Sequence, residues 1–151
     1  MMKQVIRIAK TQEDYFGLIR LREAVFVIEQ RVPLEIELDG EDDRAIHFVA
    51  LSGKRVVGTA RLVVKGRSGR SGKIGRMAVS PDWRGKGVGT ALIDFIKSDA
   101  RKKGLARLYL HAQAPAIPFY ERLGFVTEGD GFSEAGIPHR KMVLKRPKRS
   151  K

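Results

Sequence analysis

The chain contains no cysteine. Disulfides, thiolate-bound zinc, iron–sulfur clusters and any cysteine-linked acyl intermediate are therefore excluded, and the composition fits a reducing cytoplasm. Long apolar runs are also missing: nothing approaches the roughly 20 residues needed to cross a bilayer, so no membrane partner is expected. The opening Met-Met-Lys-Gln-Val-Ile-Arg-Ile-Ala-Lys interrupts its apolar positions with charge, unlike a secretory signal. The one tryptophan, Trp83, stands beside Arg84 and reads as packing at a strand exit. Three histidines without H-E-x-x-H spacing predict no metal.

What remains is a chain of 151 residues, 42% hydrophobic and 31% charged, enough for one domain with a real core. The formal net charge is +13, from 30 basic and 17 acidic residues. Five of the basic charges sit in the tail Lys145–Lys151, and four in the Gly/Ser-rich stretch Lys65–Lys73. A nucleic-acid surface gathers its cations on one folded face, so a tail and a loop disfavour that partner. A small polyanion needs far fewer charges.

Patterning along the chain predicts ten elements in the order β-α-β-β-β-α-β-α-β-β. Gln4–Ala9 reads as a strand. Thr11 caps a helix with Glu13 and Asp14 in its first turn and an apolar stripe through Tyr15, Leu18, Ile19, Val25 and Phe26. Pro33 ends it. An acidic stretch follows, Glu35–Asp43, with six carboxylates in nine residues. Strands are expected at Ala45–Leu51, Val56–Lys65 and Ile74–Val79. A helix of roughly 15 residues carries Val88, Leu92, Ile93 and Ile96 on one side and stops at Gly104. Leu108–Ala112 is a strand, Pro118–Leu123 a short helix, and Phe125–Phe132 and Lys141–Lys145 the last strands. The alternation predicts an α/β class with a mixed sheet.

The most informative stretch is Ile74–Thr90, where a strand runs through Gly85, Gly87 and Gly89 into a helix. Glycines let the chain turn sharply and bring N–H groups close to a ligand. A helix start leaves N–H groups unpaired and carries partial positive charge. The combination is an anion site suited to phosphate or pyrophosphate, with Arg84 and Lys86 adding charge. The dinucleotide and Walker A spacings are both absent.

Arg84-Gly-Lys-Gly-Val-Gly89 resembles the R/Q-x-x-G-x-G/A signature of the GNAT superfamily of acyl-CoA-dependent N-acetyltransferases. Phe119-Tyr-Glu-Arg-Leu-Gly-Phe125 is similar to a second element of that family, about 30 residues downstream as the family requires. Val25-Phe-Val-Ile-Glu-Gln30, His111-Ala-Gln113 and Gly136-Ile-Pro-His139 resemble the ElaA-like bacterial branch. The resemblance implies one domain over residues 1–144 with a flexible basic tail, 145–151. It further implies a mixed sheet of about seven strands, splayed between the fourth and fifth, with helices on both faces.

The same resemblance implies that acetyl-CoA is the donor and that a primary amine, on a small molecule or a protein, attacks it directly in a ternary complex. The backbone of Met77, Ala78 and Val79 would hold the pantetheine arm, with the Val79 N–H polarising the thioester. Arg84, Gly85, Lys86, Gly87, Val88, Gly89 and Thr90 would hold the pyrophosphate, and Gln113 would touch the cofactor. Tyr120 is the implied general acid. The amine must also lose a proton. Glu29 and His139 are the foremost candidates to take it, beside Glu35, Glu37, Asp39 and His111, and the choice stays open. The acidic stretch either attracts a cationic substrate or forms a solvated loop. His47 and His111 read as structural. A sensor that holds acyl-CoA without turnover, a nucleic-acid-binding protein and a homodimer are left open.

Overall fold

The computed structural model describes residues 4–67 and 69–144. The basic tail at 145–151 and Ser68 in the basic loop lie outside the described residues. Strand β1, Val5–Ile8, leads into α1, Gln12–Arg22. The predicted cap is a reciprocal one. The Thr11 hydroxyl accepts from the Asp14 N–H at 3.0 Å, and the Asp14 carboxylate accepts from the Thr11 N–H at 3.1 Å, satisfying two otherwise orphaned donors. Asp14 also pairs with Arg7 and so ties the helix to β1.

The buried stripe of α1 is Asp14, Leu18, Leu21 and Arg22, continuing to Val25, whereas Tyr15 and Ile19 are 42% and 43% exposed. The apolar residues mark a helix, but its inward face includes charge. The chain then widens into a π-helical segment, Glu23–Glu29, closed by the Gln30 N–H donating to the Val25 carbonyl at 3.0 Å. Such segments often border functional sites because they redirect side chains.

The acidic stretch is not a solvated loop. Its first part forms a short helix, α2, Leu34–Glu37, with Glu37 buried. Strands β2 (Ile46–Ser52), β3 (Arg55–Lys65) and β4 (Ser71–Val79) follow. β4 begins three residues before the expected Ile74, so part of the expected loop is sheet. A Cβ on Gly72 would lie 2.8 Å from Leu62 and about as close to Leu105 and Leu108. Close packing, invisible to composition, fixes that segment. Helix α3, Val88–Lys102, strand β5, Arg107–Gln113, and helix α4, Ile117–Arg122, match expectation closely. β6 (Phe125–Glu134) and β7 (Ile137–Leu144) form a long hairpin, and β7 starts four residues earlier than the expected Lys141.

The seven strands form one sheet in the order β1-β2-β3-β4-β5-β7-β6. All neighbours are antiparallel except β4 and β5. One face packs on α3 through Val88, Leu92, Ile93 and Ile96, and the other on α1 and the π segment through Leu18, Leu21 and Val25. A Cβ on Gly58 would stand 2.6 Å from Val88, and one on Gly17 would stand 2.5 Å from Val56. Each glycine lets a helix sit directly on the sheet.

β4 and β5 pair only from Ser71↔Arg107 to Ile74↔Leu110. Beyond that they part, and β5 continues against β7 as far as Gln113↔His139. A bulge in β4 marks the parting. Arg61 opposes Gly75 and Thr59 opposes Ala78, so Arg76 and Met77 together face Ala60. Arg76 has φ +51°, a left-handed conformation that costs a non-glycine residue roughly 1–3 kcal/mol. Bulges bend the strand that carries them, here away from β5.

Candidate active site

A cavity of about 800 Å³ opens where β4 and β5 part, well within the size range of small-molecule sites. It runs from the Gly85–Thr90 turn, past β4 and Tyr120, to the β6–β7 hairpin. Its walls are the π segment, α2, β4, β5 and the head of α3.

At one end stands the predicted anion turn. Gly87 caps α3 with φ +84°, which glycine adopts without steric cost. The first helical N–H with a partner is that of Ala91, donating to the Gly87 carbonyl at 3.0 Å. Among the described residues, no hydrogen bond within the protein takes up the N–H groups from Gly85 to Thr90. Phe119 of α4 supports this turn from below: a Cβ on Gly89 would lie 3.0 Å from its ring. The Lys86 side chain lies outside the cavity, its ammonium 5.5 Å from the Trp83 ring centre.

Along the cavity runs the free edge of β4. The Ser80 N–H donates to the Val57 carbonyl at 2.8 Å, on the β3 side. Backbone groups alternate edges along a strand, so the Val79 N–H faces the gap. The Val79 carbonyl accepts from Arg84 Nε at 3.0 Å, and the Arg84 guanidinium also grips Glu29 with two bonds of 2.8 and 2.9 Å. Those bonds hold the Glu29 carboxyl below the usual range, against a smaller opposing effect of burial. Gln113, at the end of β5, donates to Gln30 at 2.9 Å and links that strand to the π segment.

Tyr120 is 7% exposed and lines the cavity. Its ring contacts Phe119 and Phe125 edge-on, and burial pushes its phenol up to about 12. The hydroxyl has no hydrogen-bond partner among the described residues.

At the far end two imidazoles converge on one carboxylate. His111 Nδ1 is 3.0 Å from Glu134 Oε1, and His139 Nε2 is 3.9 Å from Glu134 Oε2. Phe132 packs edge-on against His111 and stacks on His139. His139 also bonds through Nδ1 to the Ile137 carbonyl at 2.6 Å. Burial is the largest single influence on Glu134 and opposes its ionisation, but the bond to His111 together with the nearby His111, His139 and Lys73 outweighs it, and the carboxyl lies below its ordinary range. Glu134 escapes sequence reading, since a single acidic residue near a turn carries no motif. Strand parity offers a signal: Phe132 and Glu134 share one face of β6.

The acidic stretch is largely neutralised. Buried Arg22 bonds Glu37 at 2.8 Å and Asp42 at 2.9 Å. Arg61 bonds Asp39 and Asp42. Arg76 reaches Glu37 at 3.1 Å and the Glu37 carbonyl at 2.9 Å, while Lys65 pairs with Glu41 at 3.0 Å. These bonds secure the strained Arg76 and, through it, the bulge that parts the strands. Glu35 and Asp43 are exposed. His47 is buried and bonds the Asp42 carbonyl at 3.0 Å, the structural role expected of it. Among the described residues, no three His, Asp or Glu side chains are grouped as metal ligands, and no helix is long and apolar enough to cross a membrane.

Residues 2–125 match the Acetyltransferase (GNAT) family. The chain is 36% identical over 143 residues to the uncharacterized N-acetyltransferase YjcF of Bacillus subtilis, covering 94% of this chain and 99% of that one. It is 33% identical over 128 residues to the protein ElaA of Escherichia coli, covering 82% of each. The crystal structure of an acyl-CoA N-acyltransferase from Pseudomonas aeruginosa superposes with a TM-score of 0.82 at 30% identity, covering 96% of this chain and 100% of that one.

Proposed function

The chain belongs to the acetyltransferase (GNAT) family, and we propose that it transfers an acetyl group from acetyl-CoA to a primary amine while both are bound. The observation that carries this reading is the row of N–H groups at the head of α3, unclaimed among the described residues, beside the free edge of β4. A diphosphate suits the first, and the amides of a pantetheine arm suit the second, along Met77, Ala78 and Val79. Bound there, the thioester supplies an acyl group already activated for attack.

The chain's own groups then have separable tasks. The Val79 N–H, fixed by the sheet, stabilises charge that develops on the carbonyl oxygen. Tyr120 keeps its proton at neutral pH and donates to the departing thiolate. Arg84 is held by Glu29 and spans from the π segment to the turn. That grip makes the Glu29 carboxylate a weak base and suits it to orienting Arg84. The proton of the incoming amine leaves through His111, oriented by Glu134, with His139 on the other side of that carboxylate. Gln113 fixes the end of β5 beside the cofactor.

Thiol release from acetyl-CoA, followed with a panel of primary amines and mass spectrometry of the products, tests the reading. Release that depends on amine and yields an N-acetyl product is expected. Tight binding of acetyl-CoA with no amine consumed would reduce the protein to a sensor. His111→Asn should lower kcat while leaving coenzyme A affinity nearly unaltered, and an unaltered kcat would shift the proton's exit elsewhere.

A further inference from the structure

Five cations line the cavity: Arg61, Lys65, Lys73, Arg76 and Arg84. Four of them are paired with carboxylates: Arg61 with Asp39, Lys65 with Glu41, Arg76 with Glu37, and Arg84 with Glu29. Lys73 differs. No carboxylate of the described residues lies within ion-pairing distance of its ammonium. It is nonetheless only partly exposed, and an unpaired charge withdrawn from water is costly.

Its place is defined by register. Lys73 stands between Val63 of β3 and Tyr109 of β5, in the last stretch before β4 and β5 part. Its neighbours Gly72 and Ile74 are buried towards the α3 side, so Lys73 points to the opposite face. His111 occupies that same face of β5 two residues beyond Tyr109, about 7 Å along the strand. Glu134, the partner of His111, acts on Lys73 through space but forms no ion pair with it. A cation without an ion pair among the described residues and a carboxylate-held imidazole thus share one wall of the cavity.

We infer that the acceptor is a zwitterion of the amino-acid class, its carboxylate held by Lys73 and its amine presented to His111 and Glu134. This rests on the transferase reading above and narrows its acceptor. An acceptor carrying amines alone would bring positive charge against an uncompensated ammonium. One ammonium balances one negative charge, which favours a carboxylate over a doubly charged phosphate. Burial already lowers the proton affinity of Lys73, and neighbouring Lys65, Arg61 and Arg76 lower it further against the pull of Glu134. A bound carboxylate would relieve that.

The test compares leucine and phenylalanine with their carboxamides, which keep the shape and remove the charge. Thiol release from acetyl-CoA gives kcat/KM for each member of a pair. The free acids are expected to exceed the carboxamides by at least about tenfold, as the loss of a charge-assisted contact implies. Lys73→Met, similar in length, should cut that ratio by about 10- to 100-fold, while Lys73→Arg retains most of it and controls for folding. A wild-type ratio at or below one overturns the assignment. So does a ratio that Lys73→Met leaves intact, or acetylation of amines without a carboxylate alone. Coenzyme A failing to bind in calorimetry, or binding with no amine consumed, overturns the transferase reading itself and this one with it.

Discussion

The two ends of the β4 edge carry polarity of opposite kinds. At the head of α3, the backbone from Gly85 to Thr90 offers N–H groups that nothing in the described protein takes up. Around α2, four of the six carboxylates between Glu35 and Asp43 are bound by Arg22, Arg61, Arg76, Lys65 or Arg44. The first region is chemically open and the second nearly closed. Formal charge misleads here, because the acidic stretch is the more conspicuous of the two in the sequence. Binding capacity lies where polar groups lack partners, and rigidity lies where they have them.

Gly87→Glu breaks the open end and should have the largest effect. It places a Cβ on a residue with φ +84° and negative charge where the diphosphate would sit. Coenzyme A binding should fall more than about 100-fold in calorimetry, with the circular dichroism spectrum retained. Wild-type affinity in that variant would remove the turn from the donor site.

Glu37→Ala breaks the closed end. It leaves Arg22, 1% exposed, without its main partner and removes one of the bonds that hold Arg76 to α2, the carbonyl bond to residue 37 remaining. Removing one member of a buried pair costs about 3 kcal/mol, readable as a lowered midpoint in urea. The lock should also be acid-sensitive. Burial is the largest single influence on Asp39 and Asp42 and opposes their ionisation, but the bonds and charges of Arg61, joined by Arg76 and the Glu41 N–H for Asp39 and by Arg22 for Asp42, together prevail and hold both below their ordinary values. Their contribution is whole above about pH 4 and is lost as the pH falls below it. A urea midpoint unchanged between neutral pH and pH 3 would contradict the lock.

Tyr120→Phe sharpens the comparison at the point between the two ends. It should lower the maximal rate by about 100-fold and leave coenzyme A affinity nearly unaltered, since the ring contacts with Phe119 and Phe125 survive. An unaltered rate would make Tyr120 a packing residue alone.

Much of the architecture was legible because it is written in local terms. Thr11 and Asp14 announce a helix start. Val88, Leu92, Ile93 and Ile96 recur at helical spacing, and Gly85, Gly87 and Gly89 imply a turn that opens onto a helix. The misread segments depend on distant partners. Ser71–Lys73 joined the sheet because Gly72 packs beneath Leu62, Leu105 and Leu108. Glu37 was buried because Arg22, fifteen residues earlier, was waiting for it. Glu134 became part of the site only when the hairpin carried it to His111, twenty-three residues away in sequence.

By itself, the order of residues determined most of the elements, the glycine turn that leads into α3 and the family. Periodicity, capping and glycine placement act within a few residues, so a linear reading can find them. Which carboxylates are engaged, which cavity cation lacks an ion pair among the described residues and where β4 leaves β5 were decided by the tertiary structure alone. Those outcomes depend on which charged side chains meet across strands, and the free energy of a charge is set by its surroundings in space.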